Sequence, residues 1–133
     1  MRLYVLKPMI ISYLKYRFHA QGKYHLHSPM VFDLYENILE PSCRDALHAF
    51  MNDDIFYDDL DKRLKSFVKD NPLIFKENDV VMIVKDIHRD KRNERDWDKL
   101  RSEEKVRLSI DCWRFGLVFI MDRLKKEHYI LKV

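Results

Sequence analysis

Apolar residues recur through the first half of the chain at intervals of three and four, the spacing that gathers one face of a helix. From Pro8 to Gln21, Ile11, Tyr13, Leu14 and Phe18 follow this rule, and Gly22 suits the left-handed residue that ends a helix. A second helix is expected from Pro29. Ser28 can accept a hydrogen bond from an orphan amide of the first turn, and Pro29 has no amide proton to satisfy there. Phe32, Tyr35 and Leu39 line one face of this helix, which the pattern ends near Pro41. Ser42 and Asp45 have the spacing of a capping box, opening a short third helix through Phe50. A fourth helix in "YDDLDKRLKSFVKD" turns Leu60, Leu64 and Phe67 inward and sets acidic residues in its first turn, where the helix dipole favours them.

At "NDVVMIVKD" the pattern changes. Five consecutive apolar residues, Val80 to Val84, predict a strand buried on both faces. The following "DKRNERDWDKLRSEE" predicts a charged helix with only Trp97 and Leu100 inward. Two β-rich runs close the chain, Val106 to Met121 and His128 to Val133, and the first is long enough to need a break, for which Gly116 is the natural place. The expected fold is therefore α/β in the α+β-like sense: N-terminal helices packed on a small mixed sheet that ends in an antiparallel hairpin. A single domain over 1–133 is expected, with a helical part at 1–70 and a strand, helix and hairpin at 71–133.

Composition narrows the classes. The chain has 133 residues, 47% hydrophobic and 35% charged, with two glycines and four prolines, the profile of a folded protein rather than a disordered one. The net charge of +3 arises from 25 basic against 22 acidic residues and neither demands nor excludes a polyanionic partner. Cys43 and Cys112 lack metal-like spacing and fit reduced thiols in the cytoplasm. Lys7, Lys15 and Arg17 interrupt the apolar start of the chain, so neither a signal peptide nor a membrane span is expected.

Three places carry candidate chemistry. His25 and His27 alternate in "YHLHSP" and are candidate metal ligands, although no third ligand completes a pattern nearby and a role at the helix entry is favoured. Asp86 and His88 follow the buried strand, at the end where ligands collect in α/β proteins, and are candidates for catalysis or ligand binding, set against a structural task such as capping the charged helix. Asp111 and Cys112 have no third member of a nucleophilic triad at a persuasive place, so Cys112 reads as core filler. Basic and aromatic residues interleave from Lys7 to Tyr24, which suits nucleic acid, but the core requires most of those aromatics and acids dilute the run from Arg89 to Arg95. Neither glycine lies between a strand and a helix, where the turn of a dinucleotide or adenosyl pocket needs one, so no cofactor is expected.

Residues 13–39, "YLKYRFHAQGKYHLHSPMVFDLYENIL", resemble the helical N-terminal extension of a group of bacterial S-adenosylmethionine-dependent methyltransferases, in which "Y(L/I)KY … HSPFVFDL" is typical. Residues 80–133 resemble the C-terminal part of the same group, from a "DDIHW" strand end through a helix carrying a Trp to an "IDLFRLGLVFF" strand and a terminal strand. The family's long cofactor-binding middle has no counterpart in residues 40–79. Lys85 stands at the first position of the acidic pair, leaving Asp86; His88 and Trp97 persist, while Arg89, Asp90 and Asn93 depart from the family's Trp, Ser and Met. The resemblance implies a remnant of a Rossmann-like sheet, with a helix crossing between strands and the final strand inserted beside Val80–Val84. It leaves the other edge of Val80–Val84 open, an invitation to homodimerisation. The function expected is that of a methyltransferase-related protein without catalytic activity, acting through protein contact. A methyltransferase with an unusual or dimer-completed site, and a weak nucleic-acid-binding module, are the alternatives. No small-molecule substrate is indicated.

Overall fold

A computed structural model of the chain describes residues 29–49 and 52–131, which fall into two compact units, 29–77 and 78–131. The helix expected over Pro8–Gln21, the Ser28 cap, and His25 and His27 lie outside the described residues. Among the described elements are helices and a four-stranded mixed sheet, so the architecture is α+β.

The first unit is helical. Helix α1 (Pro29–Leu34) runs into a single π turn (Tyr35–Leu39), which leads directly into α2 (Glu40–Ala49). The expected end near Pro41 is thus absent, and the reason lies in hydrogen bonding. Proline has no amide to donate, which would interrupt an α-helical ladder. The chain instead widens by one residue, so that the amide of Glu40 reaches the Tyr35 carbonyl and Pro41 falls in the first turn of the next segment, where no donor is needed. Ser42 accordingly sits inside α2 rather than capping it, and is buried. Val31, Leu34, Tyr35, Ile38 and Leu39 form the buried stripe.

Helix α3 (Asp53–Asp70) begins four residues before the expected segment. Asn52 is its cap, accepting the Ile55 amide at 2.9 Å, with Asp53 and Asp54 in the first turn. Leu60, Leu64 and Phe67 are buried as their spacing predicts, joined by Phe56 and Tyr57. Arg63 ties α3 to α2, 2.9 Å from both Asp45 and Asp59.

The second unit is a sheet of β1 (Val80–Lys85), β2 (Leu108–Asp111), β3 (Phe115–Ile120) and β4 (Glu127–Ile130), ordered β1-β3-β2-β4, with α4 (Lys91–Arg101) crossing from β1 to β2. β3 runs antiparallel to both β1 and β2, and β4 runs parallel to β2. The strand beside β1 is therefore β3, not the terminal one, and the hairpin is β2–β3. The turn at 112–115 reverses the chain and puts β3 in the middle, so the last strand must pair on an outer edge. Lys126 draws it to the β2 side: its ammonium donates to the carbonyls of Arg101, Glu103 and Val106 at 3.1, 2.6 and 2.7 Å. The amide of Glu127 then donates to the Arg107 carbonyl at 2.8 Å.

Register fixes the two faces, because paired residues share a face and neighbours alternate. Val80, Met82 and Val84 share one face with Gly116, Val118 and Ile120 of β3 and with Ser109 and Asp111 of β2. Helix α4 covers this face through Trp97, which is buried with Ile87, Val106 and Val118, while Leu100 packs against that cluster.

Two sequence expectations are corrected. β1 is not buried on both faces: among the described strands it lies at the edge, with Val80 41% and Met82 37% exposed. Consecutive apolar residues show only that a strand avoids polar side chains, not that both its edges and faces are covered. Nor does the long run break at Gly116, which lies inside β3. The break falls at Cys112–Arg114, where Trp113 takes a φ of 66° and the Arg114 amide reaches the Cys112 carbonyl at 2.8 Å. Gly116 serves close approach instead. A Cβ built on it would lie 2.5 Å from Cζ3 of Trp97, so only glycine leaves room for the ring.

Candidate functional site at the end of the first strand

β1 ends in a tight turn. Asp86 adopts a φ of 55°; its amide donates to the Arg114 carbonyl at 3.0 Å, and its carbonyl accepts from the Arg89 amide at 3.1 Å and from Asn93 Nδ2 at 3.0 Å. Asp90, rather than Asp86 or His88, caps α4 by accepting the Asn93 amide at 2.8 Å. The turn sits beside the β2–β3 hairpin, so among the described residues both non-glycine positions with positive φ, Asp86 and Trp113, belong to one corner. A left-handed conformation in a bulky residue such as Trp113 costs energy, and a strained tryptophan persists only where its surroundings hold it.

Those surroundings centre on His88. Its Nε2 lies 2.5 Å from Asp111 Oδ2, and its ring stacks on Trp113 with centroids 4.6 Å apart and planes inclined by 15°. The other oxygen of Asp111 accepts the Trp113 amide at 2.8 Å, so one carboxylate fixes both members of the stack. Nδ1 of His88 lies 3.7 Å from Glu94 Oε1 of α4. Burial disfavours the charged imidazole, but the Asp111 hydrogen bond and the charges of Asp111 and Glu94 outweigh it and raise the His88 pKa above its ordinary value. Farther along the same face, His128 Nδ1 lies 2.7 Å from Ser109 Oγ. In front of the stack is an open cleft of about 320 Å³, lined by Asp86, His88, Arg89, Trp113 and Arg114.

The arrangement is a strut between three elements. A general base must offer a nitrogen to a substrate proton. His88 directs Nε2 to the buried Asp111 carboxylate, while Nδ1 faces Glu94 at 3.7 Å, beyond hydrogen-bond length. What the arrangement does is tie the turn after β1, the first turns of α4 and the β2–β3 hairpin to one another.

The structure thus brings the candidates Asp86 and His88 to one cleft, with His88 partnered by Asp111 rather than by Asp86. Cys112 is buried. Sequence reasoning missed the parts played by Asp111, Trp113 and Glu94. The available signal was an acidic residue inside the apolar strand pattern "LSIDCW", because a buried carboxylate needs a partner. No group of three or more His, Cys, Asp or Glu residues among the described residues is placed to hold a metal ion. No described helix is long and apolar enough to cross a membrane. Comparisons with protein-family models, curated proteins and solved structures return no match to this chain.

Proposed function

We propose that this chain is a methyltransferase-related protein without catalytic activity that acts through protein contact, and that the outer edge of β1 is its contact surface. The observation that carries the reading is that edge: no strand among the described residues pairs along it, and it presents the exposed Val80 and Met82. Open apolar edges are templates for sheet extension, and proteins that do not use them usually charge, shorten or cover them.

The corner beyond β1 supports the non-catalytic half of the reading. The loop from Asp86 to Asp90 carries a side chain at every position, so the backbone offers no glycine for close approach of an adenosyl ligand. Its imidazole gives Nε2 to the Asp111 carboxylate, and Nδ1 faces Glu94 at 3.7 Å, beyond hydrogen-bond length. The resemblance to methyltransferases implies a helix crossing between strands, which α4 supplies, and a final strand inserted beside β1, a place that β3 takes while the last strand pairs with β2.

Isothermal titration calorimetry with S-adenosylmethionine, paired with an assay for transfer of its labelled methyl group to mixed acceptors, tests this reading. The expected result is no binding heat and no transfer. Micromolar affinity accompanied by transfer overturns it.

A further inference from the structure

Resting on that reading, we propose that the occupant of the β1 edge is a second copy of the same strand, paired antiparallel about a two-fold axis through Met82.

The amide of Asp86 donates to the Arg114 carbonyl just before β3, and hydrogen-bonding direction alternates along an antiparallel strand. Val80, Met82 and Val84 therefore turn their backbone groups toward β3, while those of Val81 and Ile83 point to the other side, where no described strand pairs. In a two-fold sheet dimer, residues on one face must meet residues on the same face, so the register can shift only in steps that preserve this parity. Centred on Met82, the stretch from Asp79 to Lys85 complements itself. Val80 falls opposite the second copy's Val84, Val81 opposite its Ile83, Met82 opposite its Met82, and Asp79 opposite its Lys85.

The neighbouring registers are worse. Centring on Val81 sets Asp79 against Ile83, and centring on Ile83 sets Lys85 against Val81, in each case pairing a charge with an apolar side chain. Asp79 already grips Arg123 at 2.6 and 2.9 Å, so the ends contribute mainly by avoiding opposition of like charges. The attraction comes from the backbone ladder at Val81 and Ile83 and from the apolar pairs between the ends. The opposite edge of the sheet, β4, exposes Glu127 and His128, which discourages pairing there and leaves a closed dimer rather than a growing sheet. A contact confined to one strand edge belongs to the small, transient class of interfaces, so the dimer is concentration-dependent.

The 133-residue chain tests this by sedimentation equilibrium and by cross-linking. Its mass should rise from the 16.3 kDa monomer toward twice that value with concentration. Met82→Cys should form a disulfide across the axis, identified by mass spectrometry as two copies of the same peptide joined through position 82, because directly opposite residues on adjacent strands bring their Cβ atoms within disulfide reach. Val81→Cys and Ile83→Cys, whose sulfurs would not meet their own copies, should cross-link poorly. Met82→Lys should hold the mass at the monomer value while leaving the circular dichroism spectrum and melting temperature near those of the parent. A parent chain that stays monomeric up to its solubility limit overturns the proposal, as does preferential linkage at position 81 or 83. Neither outcome bears on the calorimetric test, so the dimer can fail while the non-catalytic reading stands.

Discussion

Trp97 and Gly116 occupy one space: the six-membered ring of the indole fills the position where any other residue in the middle strand would place its Cβ. That contact seats α4 on the sheet, because Trp97 is the fully buried side chain of an otherwise charged helix. Gly116→Ala is expected to destabilise the protein by about 1–3 kcal/mol, the usual cost of forcing atoms into a packed core. Combining it with Trp97→Leu, which vacates the ring, should cost less than the sum of the two single changes. Urea denaturation of the four proteins in this cycle measures the coupling, and simple additivity would remove the proposed steric cause.

The His88–Asp111 pair makes stability depend on pH with a definite sign. The folded-state pKa of His88 lies above the value of 6.5 that an unperturbed histidine shows. Its stabilising contribution is therefore fully present below about pH 6.5 and is lost as pH rises through the raised folded value. Denaturation midpoints of the parent should fall across that window, and His88→Gln should flatten the fall. Asp111→Ala should cost about 3–5 kcal/mol, since it removes the one carboxylate that holds both the His88 ring and the Trp113 amide. A parent profile that rises through the same window would contradict the pairing.

The sequence discloses these elements unevenly, for reasons that can be named. Leu60, Leu64 and Phe67 are legible because helical burial repeats locally, and Trp97 because an isolated large apolar residue in a charged helix can face only one way. β1 is legible in its span but not in its place, since the apolar run Val80–Val84 is equally compatible with a central strand and with a contact edge. His88 and Asp111 are 23 residues apart, and their meeting depends on the β2–β3 register, which no local pattern encodes. Gly116 misleads because glycine answers two needs, a left-handed turn and a close approach; here it serves the second, and Trp113 bears the first.

That division predicts an unusual ranking at position 113. With a φ of 66°, the site favours glycine on backbone grounds, yet tryptophan contributes its stack on His88. Trp113→Ala keeps the strain and loses the stack, whereas Trp113→Gly loses the stack but relieves the strain. The glycine variant should therefore be more stable than the alanine variant by about 1 kcal/mol, the reverse of the order in an ordinary strand. Thermal melts of the two variants decide the matter. If alanine is the more stable, the positive φ carries no cost there.

Lys126 provides the last test, because its chemistry separates charge from geometry. An ammonium has three donors, and here three carbonyls receive them, those of Arg101, Glu103 and Val106, in the stretch that leads from the end of α4 to β2. The negative end of the helix dipole adds to the attraction. Lys126→Met keeps the aliphatic stem and removes the donors, and should cost about 1–2 kcal/mol, less than a fully buried charged network because part of the site is open to water. Lys126→Arg retains the charge but spreads it over a plane, which cannot converge on three carbonyls as a compact tetrahedral group does. It should restore only part of the loss. Hydrogen exchange should localise the effect to the segment after α4 and to the β2–β4 ladder, and full rescue by arginine would show that charge alone, not the converging geometry, holds the last strand beside β2.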